Sequence, residues 1–248
     1  MPKQVIPRIR LYPMGMNYFT HRNPWVPVWL SVALPGFGHF FMGQNAKGAI
    51  LMSWEIIVNH QAHLNMGIYY TLIGRPDLAQ EIVRNEWLVI YPIFYAFAMY
   101  DSYRTCLELN RIATMERLQK RREFHHINVS FMGTTHLMRR NPTMAAFWSV
   151  AVPGLGQVFT NRGLKAVTLM GWYFAVVLQS GLAHATYHTL LGEIDEAIRV
   201  IDFQWLLFFP SIYVFGIVDA YCDTVEQNRI AFDAFRHRMW KFLRNGRE

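Results

Sequence analysis

Cysteine, charged side chains and catalytic signatures are all scarce in this sequence. The 248 residues include two cysteines, Cys106 and Cys222, and neither stands in a Cys-x-x-Cys or Cys/His spacing, which excludes a disulfide framework or a structural zinc site. Charged residues make up 17% of the chain, against about 25% in an ordinary soluble domain, and this argues against a cytosolic enzyme. There is no Walker loop, dinucleotide-binding glycine fingerprint or locally supported Ser/His/Asp arrangement, so no catalytic residue, cofactor or metal ion is expected. The N-terminal arm holds Lys3, Arg8 and Arg10 but no apolar run of signal-peptide length, and Pro2, Pro7 and Pro13 interrupt any helix there. No cleaved export signal is predicted.

What the chain does have is apolar surface: 52% hydrophobic and 15% aromatic residues. The mean hydropathy is only +0.10, so a small number of membrane spans diluted by polar segments is favoured over a dense bundle. The net charge of +7 calls for an acidic partner, with anionic lipid headgroups and nucleic acid as the first candidates.

The chain is written twice. A shift of 118 residues aligns 22–113 with 140–231 without a gap, and 35 of the 92 aligned positions are identical. Matched landmarks include Asn23-Pro24 with Asn141-Pro142, Lys47 with Lys165, Asp101 with Asp219, and Asn110-Arg111-Ile112-Ala113 with Asn228-Arg229-Ile230-Ala231. The expected organisation is an N-terminal arm (1–21), a first membrane repeat (22–113), a basic connector (114–139), a second membrane repeat (140–231) and a basic tail (232–248).

Each copy holds three apolar stretches: a (Pro24 to Met42), b (Ala46 to Leu72) and c (Trp87 to Tyr103), with counterparts 118 residues later. Stretch b is long enough for the roughly 20 residues a spanning helix needs, and c becomes so by continuing into Leu107 or Val225. Stretch a is interrupted by Pro35-Gly36 or Pro153-Gly154 and reads as a re-entrant hairpin. The segments Asp77–Val83 and Asp195–Ile201 begin with Asp in a helix-start position and read as short external helices. The fold class expected is an all-α integral membrane bundle of two tandem parallel repeats, each a broken hairpin plus two transmembrane helices. Three spans per repeat, six in total, is the alternative.

Charge placement ranks these topologies. The b–c linkers contain three of the 24 Lys and Arg residues, Arg75, Arg84 and Arg199; the other 21 lie in the arm, the a–b turns, the segment 104–140 and the tail. With two spans per repeat all four basic regions face the cytoplasm, together with both termini, as the positive-inside rule requires. Three spans would place the central or the terminal basic block outside. Because the cluster Arg117, Lys120, Arg121, Arg122 adjoins membrane segments, it reads as an orientation and lipid-contact signal and not as a nucleic-acid site. The partners expected are anionic lipid at the cytoplasmic face of the inner membrane and a protein partner or second copy of the chain.

The most specific motif is Pro35, Gly36, Gly38 and His39, repeated as Pro153, Gly154, Gly156 and Gln157, each followed by Lys47 or Lys165. Two glycines permit either a tight turn or, with the lysine, an anion-binding cradle. The run Pro-Gly-Phe-Gly-His-Phe-Phe-Met-Gly-Gln-Asn-Ala-Lys-Gly over 35–48 resembles the glycine-rich turn of the two-transmembrane-helix domain family and its bacterial relatives. In these, Pro-Gly-Leu-Gly-Gln-x-Tyr-x-Gly precedes Lys-Gly. Asp101-Ser102-Tyr103 and Asp219-Ala220-Tyr221 are similar to the Asp-Ala-Tyr that ends their last helix. The resemblance implies a bacterial membrane protein, here as a tandem duplication, and implies no particular activity.

Two sets of polar residues are candidates for a role. Lys47 with Asp101, and Lys165 with Asp219, sit at the same ends of b and c and are expected to pair. Glu55 falls about 13 Å into stretch b, and Asn59 and His63 follow it on one stripe, with His60 beside them. His184 and His188 form a stripe in the second copy. This set reads either as interhelical hydrogen bonding or as a polar path for a proton or metal ion. The leading functional expectation is a non-catalytic membrane scaffold or interaction subunit whose basic helices bind a partner protein or anionic lipid. A small ion, proton or metal transporter or channel with a pathway between the repeats is the alternative, and a membrane enzyme acting on a lipid-linked substrate ranks third.

Overall fold

The computed structural model describes residues 9–12, 15–18, 20–118, 127–130, 133–136 and 139–245. Two four-residue strands, β1 (Ile9–Tyr12) and β2 (Gly15–Tyr18), form an antiparallel hairpin that precedes α1 (Trp25–Ala33), α2 (Phe37–Phe41), α3 (Asn45–Ala62), α4 (Leu64–Leu72), α5 (Pro76–Ile82) and α6 (Asn85–Leu118). A second hairpin, β3 (Ile127–Ser130) with β4 (Gly133–His136), precedes α7 (Pro142–Ala151), α8 (Leu155–Phe159), α9 (Gly163–Gln179), α10 (Leu182–Leu190), α11 (Ile194–Arg199), α12 (Phe203–Leu206) and α13 (Phe209–Asn245). The body is helical. The two short hairpins, absent from the all-α expectation, begin 118 residues apart, so the correspondence of backbone reaches back beyond Arg22. Lys3, Arg8, Lys120, Arg121 and Arg122 lie outside the described residues.

Stretch a folds back on itself as its sequence requires. Asn23 and Asn141 cap α1 and α7 by accepting from Trp25 N (3.1 Å) and Thr143 N (3.0 Å), with proline at the first helical turn. Pro-Gly then ends each helix. Gly36 and Gly154 stand at φ 102° and 108°, and a Cβ there would lie 2.5 Å from Gly48 O or 2.4 Å from Met170 Cγ on the following helix. The second glycine of the motif serves a different contact: a Cβ on Gly38 or Gly156 would lie 2.1 or 2.3 Å from the carbonyl oxygen of Pro27 or Ala145 on the preceding helix. The short helices α2 and α8 are therefore wedges pressed backbone-to-backbone between a and b. Packing and backbone conformation account for both glycines.

Stretch b departs from the single span expected over Ala46–Leu72. Its helix breaks at His63, in the left-handed region at φ 54°, and the second copy breaks at Ser180-Gly181, with Gly181 at φ 69° and a bend of 57° between α9 and α10. The chain returning from the external helix stabilises each break. Arg84 N donates to Ala62 O (3.1 Å) and Asp202 N donates to Ser180 O (3.0 Å), so carbonyls freed at the break find partners a helix-length later in sequence. The short helices α5 and α11 form where Asp77 and Asp195 predict them; Arg75 donates to Asp77 and holds that exposed carboxyl below its ordinary range.

Stretch c of the first copy runs unbroken into the polar region within the 34-residue α6; in the second copy it starts in α12, turns at Leu207-Phe208 and continues through the 37 residues of α13. By length and composition, the segment Phe203–His237 is apolar enough to cross a membrane, and the bent pair α9 and α10 passes when counted as one span. Tyr91, Tyr95, Tyr100 and Tyr103 dilute the hydropathy of α6. Between the halves lies one core in which Phe37, Phe40, Met52 and Ile56 pack with Leu169, Phe208, Ile212 and Phe215.

The glycine contacts make a direct prediction. Gly156→Ala places a methyl group against Ala145 O, Ser149 Oγ and Ala220 Cβ and is expected to lower stability by about 1–3 kcal/mol or more through overpacking. Gly171→Ala, on α9 with nothing within 4 Å of its Cβ position, is expected to be neutral or to stabilise by up to about 1 kcal/mol. Thermal unfolding of the two purified variants checks the sign of each.

Candidate functional site: a buried ionic cluster and a polar seam

Three features that are separate in sequence meet at one place in each copy. The lysine near the start of b, the aspartate near the middle of the c helix and the residue after the Gly-x-Gly all converge. In the first copy Lys47 Nζ lies 2.8 Å and His39 Nε2 2.9 Å from Asp101 Oδ2. In the second, Lys165 Nζ donates to both Asp219 oxygens at 2.8 Å, and Gln157 Nε2 donates to Asp219 Oδ2 at 3.0 Å and to Gly216 O at 2.9 Å. The expected pairs are formed, and the fourth residue of the glycine motif is the aspartate's second partner. Lys47 keeps about half its side chain in solvent, whereas Lys165 and Asp219 are fully buried.

The second copy enlarges this site into a network. Lys165 Nζ also lies 2.9 Å from Asp223 Oδ2, which in turn pairs with Arg162 Nε at 3.0 Å; Arg162 reaches Glu226 at 3.5 Å. Arg22, from the start of the first copy, completes it by donating to Glu226 and to Phe41 O (2.6 Å), and Thr20 also donates to Glu226. Arg22, Arg162 and Lys165 balance Asp219, Asp223 and Glu226. Arg162 is 1% and Asp223 3% exposed, a depth at which an unpaired charge costs several kcal/mol. In the first copy the equivalents of Arg162 and Asp223 are Gln44 and Thr105, so cation and anion are present together or absent together.

A second conserved contact holds the entry to each repeat. Asn110 accepts from Arg22 N (2.9 Å) and donates to Arg22 O (2.7 Å); Asn228 does the same with Arg140 at 2.7 and 2.6 Å. This amide clamp gives the shared Asn-Arg-Ile-Ala block a physical role that its residue types alone do not reveal. Likewise Tyr95 and Tyr213 donate to Val32 O and Val150 O, tying c to a.

The polar residues of stretch b form a seam at the far end. Glu55 Oε1 accepts from Tyr91 OH (2.6 Å) and Asn59 Nδ2 (3.3 Å); Asn59 also bonds Asn65, and both are joined to Gln204 of α12. Glu55, Asn59, Asn65 and Gln204 are buried. His60 packs on Trp205 at 4.8 Å between ring centroids and on His63 at 6.2 Å. His184 is exposed and His188 pairs outward with Glu193 at 2.7 Å, so neither joins Glu55. Asn65, Tyr91 and Gln204 belong to the seam and were not among the sequence candidates; Gln204 in particular replaces Glu86 of the first copy.

No family model, curated protein or solved structure matches this chain. Function is read from geometry alone. Among the described residues no three His, Cys, Asp or Glu side chains converge to hold a metal ion. A cavity of about 740 Å³ lies between α4, α5 and the start of α6, lined by Leu64, Ile68, Leu72, Val83 and Leu88, and one of about 640 Å³ lies beside Arg139, Arg229, Phe232 and Phe235. Neither is lined by Glu55 or by the ionic cluster.

The paired absence of charge in the first copy predicts how the network responds to substitution. Arg162→Gln or Asp223→Thr alone leaves an unbalanced buried charge and is expected to cost about 3–5 kcal/mol. The double substitution restores the arrangement of the first copy and is expected to recover most of that loss. A thermal double-mutant cycle on the purified chain measures it, and additive losses would mean the pair is not coupled.

Proposed function

We propose that the chain is a membrane-embedded, non-catalytic scaffold that presents two basic helices to a partner protein or to anionic lipid. The observation that carries this reading is the length and polarity of α6 and α13. At 1.5 Å per residue they extend about 51 and 55 Å, against a bilayer core of about 30 Å. Their first halves expose Val89, Ile93, Val214 and Val218; the second half of α13 carries Arg229 and Arg236 beside Asp233, and that of α6 carries Arg104, Arg111 and Arg117 beside Glu108 and Glu116. A helix apolar outside over one half and cationic over the other suits a bilayer on one side and a polar partner on the other.

The interior supports the same reading. Its polar groups bond one another across helices, which stabilises a membrane bundle where apolar burial alone does not. The resemblance of the Pro-Gly-x-Gly turn to the two-transmembrane-helix domain family, and the 118-residue duplication, fit a bundle of two parallel repeats with a and its wedge entering from the cytoplasmic side. The 21 cations outside the b–c linkers then share that side, and α5 and α11 lie on the other.

One observation favours transport as a second reading: Glu55 is 2% exposed and its Oε2 has no hydrogen-bond partner. Intramembrane carboxyls are frequent participants in ion pathways.

Two measurements test these readings. In a background with Cys106 and Cys222 replaced by alanine, Gln80→Cys and Glu196→Cys are expected to react with a membrane-impermeant maleimide added outside intact cells. Arg117→Cys and Phe235→Cys are expected to react only after permeabilisation. Labelling of Arg117→Cys or Phe235→Cys in intact cells would establish the six-span topology. In sealed vesicles containing the purified chain, proton and cation flux is expected to equal that of empty vesicles; flux abolished by Glu55→Gln would establish the transport reading instead.

A further inference from the structure

The two copies meet through non-equivalent faces. In the second copy α12 and the first half of α13 lie against α2, α3 and α4 of the first: Phe215 stacks on Phe37 and Phe203 on Tyr69, at 3.9 and 4.0 Å between ring centroids. The Gln204 side chain accepts from Met66 N and donates to Asn59. At the opposite end the Arg22–Glu226 pair crosses the same boundary. One copy thus offers its c helix and the other receives it with a and b, while the two b helices also touch, Trp172 Nε1 donating to Ser53 Oγ at 3.1 Å.

Head-to-tail contact between two similar units leaves one offering face and one receiving face unused. Both are visible on the surface. Ile90, Phe94 and Phe97 of α6 stand 118 residues before Phe208, Ile212 and Phe215; the first three are 44%, 39% and 51% exposed, the last three 3%, 1% and 5%. On the receiving side Phe174 and Tyr187 are 47% and 60% exposed, while their counterparts Ile56 and Tyr69 are covered by the second copy.

We propose that these two faces join between chains, so that α6 of one molecule occupies on α8, α9 and α10 of a second copy the place that α13 occupies within the chain. The proposal deepens the interaction-subunit reading by naming one partner, and the repeat geometry that carries it does not depend on the bilayer. The polar positions change their chemistry. Gln204 accepts from Met66 N and donates to Asn59 inside the chain; at the unused faces Gln204 becomes Glu86, Asn59 becomes Val177 and Met66 becomes His184, so the bond that can recur is from the His184 backbone N–H to the Glu86 carboxyl. The bridging pair keeps its residue types: Arg22 corresponds to Arg140 and Glu226 to Glu108, which is 53% exposed and pairs within the chain with Arg104. Reciprocal use of both faces by two molecules would place four repeats in one closed assembly, and a rotation that does not close in two would continue into a larger ring.

The contact Phe215–Phe37 supplies the test, because its counterpart between chains is Phe97 with Leu155. With Cys106 and Cys222 replaced by alanine, one tagged chain carrying Phe97→Cys is co-expressed with a differently tagged chain carrying Leu155→Cys and treated in membranes with a short bismaleimide. A cross-linked heterodimer is expected. Phe97→Cys with Phe147→Cys, a position 64% exposed on α7 outside the receiving face, is expected to give none. In nanodiscs the native chain is expected to have the mass of two or more copies. Ile90→Ala with Phe97→Ala, both exposed in the single chain, is expected to reduce this to one copy without lowering the unfolding temperature. A single-copy mass for the native chain, equal cross-linking in both combinations, or a mass unchanged by the double alanine variant would each overturn the proposal. Release of the chain by alkaline carbonate would overturn the membrane reading alone and leave the cross-linking result standing.

Discussion

An ammonium group in the first turn of a helix sits at the positive end of the helix dipole, and in this chain both copies place a lysine there, the second one fully buried. The dipole contributes a penalty of only about 0.3–1 kcal/mol. The larger constraint is desolvation: an uncompensated buried charge costs several kcal/mol. A carboxylate must therefore stand opposite, and the distance between b and c is set by the Lys–Asp contact. Because His39 or Gln157 holds the same aspartate, the wedge helix is fixed by it too. The close approach of Gly38 and Gly156 to the preceding helix then positions a. In the second copy four elements depend on one neutralised lysine; in the first the same contact is made with Lys47 half exposed, where desolvation weighs less.

Given the same framework, the copies have diverged at opposite ends. The second adds Arg162 and Asp223 to the lysine site and closes it from solvent. The first leaves Lys47 half exposed and instead carries Glu55, Asn59 and Asn65 at the far end of b, where the second has Tyr173, Val177 and Ala183. Both additions lie against the boundary between copies: Glu226 takes Arg22 at one end, and Gln204 takes Asn59 and Asn65 at the other. The ionic cluster and the polar seam thus both join the halves. Hydrogen bonds to neutral amides at one end and a neutral ionic cluster at the other achieve this, with Glu55 held in the seam by Tyr91 and Asn59.

The Lys–Asp pairs were legible in the sequence because both residues recur unchanged at corresponding ends of neighbouring apolar stretches. The wedge was legible because Pro-Gly interrupts a run too short to cross alone. Arg162 and Asp223 were not, since neither recurs in the first copy and each alone resembles ordinary divergence; only their joint replacement of Gln44 and Thr105 signals contact. The break in b carries no proline, and His63 adopts a left-handed conformation that its residue type does not announce. Its stabilising bond comes from Arg84, 22 positions after Ala62, beyond the reach of a local pattern. His184 and His188 were grouped with each other by helical spacing and with Glu55 as one path between the copies; the structure leaves His184 exposed and turns His188 to Glu193, away from Glu55.

The net charge acquires a definite location from this arrangement. The cluster of Arg22, Arg162 and Lys165 with Asp219, Asp223 and Glu226 sums to zero, as does Lys47 with Asp101. The excess of +7 therefore belongs to residues outside the ionic cluster and the Lys47–Asp101 pair, chiefly the basic segments after c and the flanking arms, with Glu55, the carboxyl of the seam, counted against it. Among the described residues, cations outside these sites also pair, Arg104 with Glu108 and Arg236 with Asp233, but such exposed pairs contribute little to stability, so the charge that fixes helix positions is the buried charge.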